Sequence, residues 1–347
     1  MVNGAKMKEV DALLEFLKKL KGKRIFVSVL GSPDPDGLAS AWALKVIARF
    51  AGVDAEIFYF EELSRPDNIE FLHCLKIPAT MWPKDAILDG MFEGYAAVDR
   101  QNPDLPVPLQ IPLLIHIDHH ADSEKKALFS VRRDDVGSTS TIMIGLLKPY
   151  LCSIFTDEDE RKRLCTALMF GIRTDTMDFI TATAKDFEAS ATILPFVDTG
   201  ALRRLSATPV GVPFLKTLEK ALGSMKIVKS MLVAYAGEVL PKARDSIGQT
   251  ADFLLRVEGV ETAVVFGIVK GFVVGSLRTK NESLDTARTL RDALEPVTKN
   301  HVDCGGRKFA GGFQVPLKNF MNLSKDEIGE VVAQALQKAW RTQGNRR

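Results

Sequence analysis

The chain has 347 residues, of which 46% are hydrophobic and 26% charged, a composition typical of a folded globular protein. Its length exceeds the size at which a single hydrophobic core is usual, so we expect two domains. The four cysteines lie far apart and form no CxxC pair, so neither a zinc knuckle nor a disulfide framework is indicated. No apolar run is long enough to cross a bilayer and the first residues do not resemble a secretory leader, so we expect a cytoplasmic protein without a membrane partner.

The formal charge of +2 hides an asymmetry between the two halves of the chain. Residues 201–347 carry 23 lysines and arginines against 14 aspartates and glutamates, whereas residues 1–200 carry 23 against 30. An acidic half and a basic half fit a protein that binds metal ions with one and phosphates with the other. Scattered surface charge explains the counts equally well, so they leave both interpretations open.

The first half alternates between strands and helices. Apolar spacing predicts helices over residues 10–20, 39–50, 138–147 and 161–171, and short apolar runs predict strands over residues 25–30, 53–60, 95–99 and 112–118. This alternation predicts an α/β fold with a largely parallel sheet and helices on both faces. Ligands of such sheets bind beyond the carboxyl ends of the strands.

The pattern weakens over residues 201–229, where two prolines lie among mixed charges, and we place the linker between the domains there. Residues 1–200 then form the first domain and residues 230–347 a smaller second domain. Its expected elements are strands at 230–235, 262–269 and 271–277 and helices at 244–256, 284–294 and 325–341. Residues 304–313 read as a glycine-rich loop with two cations.

Carboxylates and imidazoles follow four of the predicted elements of the first domain. The prolines on either side of Asp34 hold two carboxylates of one turn close together, and a divalent cation is the natural counter-charge. Each position alone could be a helix cap or a turn residue. Four such positions at strand and helix ends favour a single metal-binding crevice. The residues are Asp34, Asp36, Asp99, Asp118, His119, His120 and Asp175.

Two common ion and phosphate motifs do not fit this pattern. An EF-hand also begins with D-x-D, but Lys45 stands at the twelfth position, where a glutamate is required, and a P-loop needs a Gly-Lys-Ser/Thr run that is absent. Carboxylates with an imidazole suit Mn²⁺ or Mg²⁺ better than a structural zinc ion. Two such ions about 3.5–4 Å apart can activate water for attack on a phosphoester, and we infer this chemistry.

These segments resemble, in order and approximate spacing, the four motifs of the DHH phosphoesterase family. The glycine-rich loop and Ser276-Leu277-Arg278 resemble the DHH-associated C-terminal domain of the branch that degrades nanoRNAs, 3′,5′-bisphosphonucleotides and cyclic dinucleotides. The resemblance implies a catalytic α/β domain, a smaller α/β substrate-binding domain across a cleft, and pairing into homodimers. The motifs are Asp34-Pro35-Asp36, Val98-Asp99, Asp118-His119-His120 and Thr174-Asp175-Thr176.

The resemblance implies a role for each residue of the acidic crevice. Asp34 would bind the first Mn²⁺ and Asp99 would bridge the two ions. His120 would face the scissile phosphate, and Asp118 would orient the imidazoles. The remaining ligands, which would hold the second ion, are Asp36, His119 and Asp175.

In the second domain the resemblance implies that Arg278 and Arg307 contact phosphates, because a guanidinium matches phosphate geometry. Arg307 stands where related sequences usually have histidine. Phe309 and Phe313 could stack on a base, although packing on the sheet is the commoner role. Glycines would let the backbone approach a nucleotide closely, and these are Gly305, Gly306, Gly311 and Gly312. Residues 138–140 resemble a hydroxyl-rich segment near substrate, or are a plain helix start.

The sequence departs from the family pattern at Leu30, where the first motif usually has a histidine. In one interpretation Asp34, Asp99, water and substrate oxygens suffice for the first ion. In another, His116 takes the place of the missing ligand, because it shares a strand face with Asp118. In the third, the chain is a catalytically weakened nucleotide sensor.

The sequence therefore predicts a metal-dependent phosphoesterase acting on small nucleotides or short oligonucleotides. An exopolyphosphatase is the alternative enzyme, because the same catalytic domain cleaves phosphoanhydrides. A long-strand exonuclease fits less well, since we find neither an added single-strand-binding domain nor a basic tract interleaved with aromatic residues.

Overall fold

The structure is a computed structural model, and it describes residues 3–31, 33–63, 66–83, 90–120, 126–207, 211–298, 302–307, 309–320 and 323–343. The chain divides into two compact units, Met1–Pro209 and Val210–Arg347. In the described part of the chain, no helix combines the length and the apolar character that a membrane crossing requires.

The first unit is built on a six-stranded sheet. Its strands are β1 (Arg24–Val29), β2 (Asp54–Tyr59), β3 (Ala79–Met81), β4 (Gly94–Val98), β5 (Leu113–Asp118) and β6 (Phe129–Arg132). They lie in the order β3-β2-β1-β4-β5-β6, and every neighbouring pair is parallel. The strand order reverses between β1 and β4, so the carboxyl ends of these two strands border a crevice where such sheets bind ligands.

Helices cover the sheet of the first unit. They are α1 (Asn3–Lys18), α2 (Pro35–Phe50), α3 (Pro66–Cys74), α4 (Thr139–Leu147), α5 (Glu158–Asp175), α6 (Ala184–Ile193) and α7 (Thr199–Ser206). Helix α2 begins at its proline because Asp34 caps it, accepting a hydrogen bond from the Gly37 N–H at 2.9 Å. Its apolar residues pack with those of α4, α5 and one face of the sheet to form the larger core.

The opposite face of β1 carries a group of rings that we call the aromatic cluster. The ring centroid of Phe26 lies 5.2–5.8 Å from those of four other rings, at the separations favoured by aromatic pairs. Leu30 is 8% exposed and packs into this cluster. The rings belong to Phe26, Phe58, Trp82, Phe92 and Tyr95.

The second unit holds a six-stranded mixed sheet in the order β11-β12-β10-β9-β8-β7, in which only β8 and β9 pair in parallel. Its strands are β7 (Lys226–Val228), β8 (Met231–Glu238), β9 (Thr262–Val269), β10 (Phe272–Thr279), β11 (Asp303–Arg307) and β12 (Ala310–Pro316). Its helices are α8 (Val212–Ser224), α9 (Asp245–Leu254), α10 (Thr286–Thr298) and α11 (Lys325–Gln343).

Two regions differ from the sequence-based expectation. Most of the range 201–229, expected as a linker, belongs to α7 and α8, since α8 tolerates Pro213 in its first turn and buries Thr217 and Ala221. The expected glycine-rich loop is the hairpin of β11 and β12. Glycine is uncommon in strands, but here it permits close packing, because a Cβ at Gly306 would lie 2.1 Å from Thr286 Oγ1 of α10.

Candidate metal centre

Asp36 is held in place by the start of α4. Its side chain is buried, Oδ2 accepts a hydrogen bond from the Thr139 N–H at 2.7 Å, and Oδ1 accepts one from the Ser140 N–H at 2.8 Å. Ser138 caps α4 by accepting from the Thr141 N–H. The hydroxyl-rich segment is therefore a helix N-terminus, one of its two expected roles, and it orients a carboxylate of the crevice.

Asp99 and Asp175 lie on either side of His119. The backbone of Asp99 has a φ of 54°, and its Oδ1 accepts a hydrogen bond from Thr139 Oγ1 at 3.0 Å. His119 Nε2 lies 3.0 Å from Asp175 Oδ2 and 3.5 Å from Asp99 Oδ1. This nitrogen is buried, yet the contacts lack hydrogen-bond geometry, which is the arrangement expected of a nitrogen that ligates a metal.

Four residues bring ligand atoms within 4.8 Å of one another, and we call them the four-ligand cluster: Asp36, Asp99, His119 and Asp175. Asp99, His119 and His120 form an overlapping group under the same limit. The cluster joins the three residues expected to hold the second ion to the residue expected to bridge both ions. The donors are three carboxylates and one imidazole, a set that suits Mn²⁺ or Mg²⁺.

The charges of the cluster oppose one another. Burial and the neighbouring Asp175 raise the pKa of Asp36 to about 7. Burial, followed by repulsion from Asp36 and Asp34, raises the pKa of Asp99 well above its usual value. Burial alone would lower the pKa of His119, but the contact with Asp175 and the charge of Asp36 raise it to about 9. A cation among these carboxylates would relieve the repulsion, so the residues fit a divalent ion.

Asp118 holds His120 beside this cluster. His120 Nδ1 lies 2.8 Å from Asp118 Oδ1, and the Arg132 guanidinium donates to the His120 carbonyl at 3.2 Å. Asp118 is fully buried; burial opposes its ionisation, but the hydrogen bond and charge of His120 outweigh that effect and lower its pKa. The His120 side chain is 41% exposed, so the pair presents an oriented imidazole at the surface of the crevice.

The opposite side of the crevice has fewer ligands. Asp34 is exposed and lies outside the four-ligand cluster, although a Cβ at Gly37 would lie 3.3 Å from its Oδ1 and 3.4 Å from Asp99 Oδ2. Leu30 packs in the aromatic cluster and offers no donor atom. One carboxylate oxygen of Asp34 and one of Asp99 thus lie close to Gly37, and the imidazoles that approach Asp99 are those of His119 and His120.

The geometry does not place His116 among the metal ligands. Its Nε2–H donates to the Arg100 carbonyl at 2.8 Å, and the described residues give it no group of neighbouring ligands. The side chain is 1% exposed, and burial lowers its pKa. The Nε2 of His116 is thus taken by the backbone that follows Asp99, while its Nδ1 is buried without a hydrogen-bond partner among the described residues, and the interpretation that His116 replaces the missing histidine stays a prediction.

In the second unit, the substrate residues expected from the sequence fall on two faces. Arg278 donates to Asp252 at 2.7 Å and to Ser276 Oγ at 2.6 Å, which fixes its guanidinium. A Cβ at Gly305 would meet no atom within 4 Å, and one at Gly312 would meet only the Gly275 carbonyl at 3.5 Å. The other two glycines of the hairpin, Gly306 and Gly311, adjoin Thr286 and serve helix packing.

The remaining residues are Arg307 and the two phenylalanines of the hairpin region. Arg307 ends β11, and its side chain lies outside the described residues. Phe313 is 3% exposed and belongs to the core, whereas Phe309 is half-buried. Packing is therefore the role that the structure gives Phe313.

Sequence reasoning missed Asp186, and it singled out residues 138–140 without their contact with Asp36. Thr139 and Ser140 bind Asp36 through their backbone, which a side-chain motif does not reveal. Asp186 binds the segment before α4, and its only signal is the Thr-x-x-Asp spacing of a capping box with Thr183.

No protein-family model matches the chain, but a protein of similar sequence does. An uncharacterized protein of Methanocaldococcus jannaschii is 32% identical over 309 residues, which cover 88% of this chain and 61% of that protein. The chain thus spans less than two thirds of that relative's length.

Solved structures give a fold relationship. An exopolyphosphatase-related protein from Bacteroides fragilis matches with a TM-score of 0.65 and 15% identity over 96% of both chains. RecJ from Thermus thermophilus, solved in complex with Mn²⁺, matches with a TM-score of 0.48 and 17% identity over 97% of this chain and 55% of that one. The fold of this chain is that of the exopolyphosphatase-related protein, and the α/β fold expected from the sequence is confirmed.

Proposed function

We propose that the chain is a metal-dependent phosphoesterase that hydrolyses phosphodiester or phosphomonoester bonds of small nucleotides. The observation that carries the proposal is the convergence of Asp36, Asp99, His119 and Asp175 at the carboxyl edge of the parallel sheet, within 4.8 Å of one another. These side chains come from four separate segments of the chain, which chance rarely brings together with complementary donors. Mn²⁺ or Mg²⁺, as two ions, is the proposed cofactor.

Each part of the centre has a chemical role in this proposal. Divalent ions, when bound, supply the Lewis acidity that favours attack of water on phosphorus. His120 donates a hydrogen bond to the phosphate, and Asp118 keeps its ring oriented through Nδ1 at 2.8 Å. Asp118 is a positioning residue here, because it acts through the imidazole and not on the substrate.

The proposed nucleotide site of the second unit uses the open side of the hairpin. Gly305 and Gly312 lie opposite each other in the register of β11 and β12, and both leave space that a Cβ would not obstruct. Arg278 lies on β10, next to β12, with its guanidinium held by Asp252 and Ser276. A fixed guanidinium beside an open strip of backbone suits a phosphate next to a flat base.

A panel of substrates tests the proposal. Purified protein with Mn²⁺ would be incubated with short RNA, 3′,5′-bisphosphonucleotides, linear and cyclic dinucleotides, and polyphosphate. We expect turnover of at least one nucleotide and none by Asp175→Asn. The matched control is Asp198→Asn. Asp198 is the N-cap of α7 and accepts a hydrogen bond from the Ala201 N–H, and asparagine can take over this role. If polyphosphate is the one substrate of the panel that is hydrolysed, the proposed nucleotide substrate is wrong and the enzyme cleaves phosphoanhydride bonds.

Leu30 favours a second candidate, a nucleotide-binding sensor without hydrolysis. Its burial in the aromatic cluster leaves the Asp34 side of the centre without a nitrogen ligand. Equilibrium binding of the same nucleotides, with and without Mn²⁺, separates the candidates: binding without turnover of any member of the panel would establish the sensor. The expected homodimer is part of either candidate, and sedimentation equilibrium measures it.

A further inference from the structure

Asp186 is buried in a way that helix capping does not require. It is the third residue of α6 and forms a capping box, in which it accepts from the Thr183 N–H at 2.7 Å and from Thr183 Oγ1 at 2.8 Å. Such carboxylates are ordinarily exposed, but Asp186 has no exposed surface. It also accepts hydrogen bonds from the Gly137 N–H at 2.9 Å and from Thr141 Oγ1. Two of its four donors therefore belong to a segment more than 40 residues earlier.

That segment is the start of α4, and two buried carboxylates bind it from different sides. The Gly137 N–H donates to Asp186. The N–H groups of Thr139 and Ser140, in the first turn of the helix, donate to Asp36. The Thr141 N–H donates to the Ser138 cap. Because Gly137 is only two residues before Thr139, a shift of Gly137 away from Asp186 displaces the groups that orient Asp36.

The same segment also contacts Asp99 of the four-ligand cluster and lies close to the residue that follows Asp175. Thr139 Oγ1 donates to Asp99 Oδ1 at 3.0 Å. A Cβ at Gly137 would lie 2.5 Å from Cγ2 of Thr176, the residue after Asp175, and 2.9 Å from Asp186 Oδ2. Gly137 thus lies close to both Asp186 and the residue that follows α5, and a larger side chain there would clash with both.

We propose that Asp186 is a positioning residue of the metal centre, which holds the start of α4 where it orients Asp36 and Asp99. It contacts no ion or substrate itself and acts through the backbone of α4. The proposal rests on the proposed function only in requiring a divalent ion at the four-ligand cluster. Groups that orient metal ligands typically change metal affinity about 10–100-fold when they are lost.

Asp186→Asn tests this role, because asparagine keeps the shape but turns an amide donor toward groups that already donate. We expect the Mn²⁺ dissociation constant, measured by calorimetry without substrate, to rise about 10–100-fold. Asp198→Asn, which changes a cap of α7 in the same unit, should leave it unchanged. Urea unfolding of each variant measures the stability change separately. An Asp186→Asn protein that is less stable but binds Mn²⁺ like the wild type would overturn the proposal.

A double-variant experiment tests whether Asp186 acts through Asp36. In the Asp36→Asn background, adding Asp186→Asn should change the remaining Mn²⁺ affinity much less than it does alone. Full additivity of the two losses would overturn this route. If Asp186→Asn does not fold, Thr141→Val removes only one donor to Asp186 and should weaken Mn²⁺ binding by a smaller factor; an unchanged affinity would contradict the proposal.

The outcome for the wild type separates this inference from the proposed function. Mn²⁺ binding without turnover of any substrate contradicts hydrolysis, while the affinities of the variants still decide the role of Asp186. A wild-type chain that binds no Mn²⁺ overturns both.

Discussion

The two sides of the metal centre are built differently. Two carboxylates of the four-ligand cluster, those of Asp36 and Asp99, accept hydrogen bonds from the start of α4. His119 Nε2 contacts Asp99 and the third carboxylate, that of Asp175. Asp34 is exposed, and its carboxylate caps α2, while Leu30, where the resemblance led us to expect a histidine, packs in the aromatic cluster. The fold thus preorganises one side for an ion, whereas the other side needs water or substrate to complete it.

The largest effect should come from removing the imidazole of the preorganised side. His119→Ala deletes one of four ligands and leaves three carboxylates that repel one another, so we expect Mn²⁺ affinity to fall more than about 100-fold. Calorimetric titration measures this loss. His73→Ala, which removes a histidine of α3, is the control and should bind Mn²⁺ normally. A small loss in His119→Ala would mean that the cluster is not the principal ion site.

Restoring the first-motif histidine should cost stability before it gains a ligand. Leu30→His places a polar ring among the rings of the aromatic cluster, and we expect the free energy of unfolding of the metal-free protein to fall by about 1–3 kcal/mol. Urea denaturation measures it, with Leu30→Met as the apolar control. Saturating Mn²⁺ should recover part of the loss if the new ring reaches an ion. A metal-free variant as stable as the wild type would show that position 30 is not committed to the aromatic cluster.

Removing the carboxylate of the less organised side should have a smaller effect. Asparagine caps a helix about as well as aspartate, so Asp34→Asn should leave the unfolding free energy unchanged. We expect the tightest Mn²⁺ site to weaken less than about 10-fold, because Asp34 stands outside the four-ligand cluster. Titration to high Mn²⁺ should reveal the loss of a second, weaker site. A loss as large as that of His119→Ala would mean that the two sides act as one unit.

The smallest effect on metal binding should come from the second unit. Arg278→Ala removes a guanidinium that is paired with Asp252, and Mn²⁺ affinity should not change. Nucleotide binding should weaken and depend less steeply on salt, as expected when a phosphate contact is lost. The matched control is Arg288→Ala, which removes an exposed ion pair between Arg288 and Asp292 of α10. An unchanged salt slope in Arg278→Ala would give that arginine a purely structural role.

The sequence predicted the first unit of the fold well because its signals are local. The strands that precede Asp34, Asp99 and Asp118 are continuous apolar runs, and parallel strands bring their carboxyl ends to one edge, so the convergence of the acidic residues followed from the pattern. The three-residue strand β3 and the four-residue strand β6 lack such runs and were not predicted.

What the sequence could not reveal depends on tertiary contacts. The hairpin of β11 and β12 was read as a loop because glycines disfavour strands, and the contact of Gly306 with Thr286 that requires them is distant in sequence. The hydrogen bonds from Thr139 and Ser140 to Asp36 come from backbone groups, which every residue carries. His116 was considered a ligand because strand alternation gives a face but not the direction of a ring.

Asp99 is a position where backbone and side chain independently select the same residue. Its φ of 54° lies in the left-handed region, which only glycine, asparagine and aspartate enter readily. The metal centre, in turn, needs a carboxylate there and a carbon chain short enough to keep that oxygen near His119. Glycine and asparagine meet the first requirement and glutamate supplies a carboxylate, but aspartate alone meets all three. The residues that suit the backbone of this turn therefore differ from those that suit ion binding, and aspartate is the one residue that suits both.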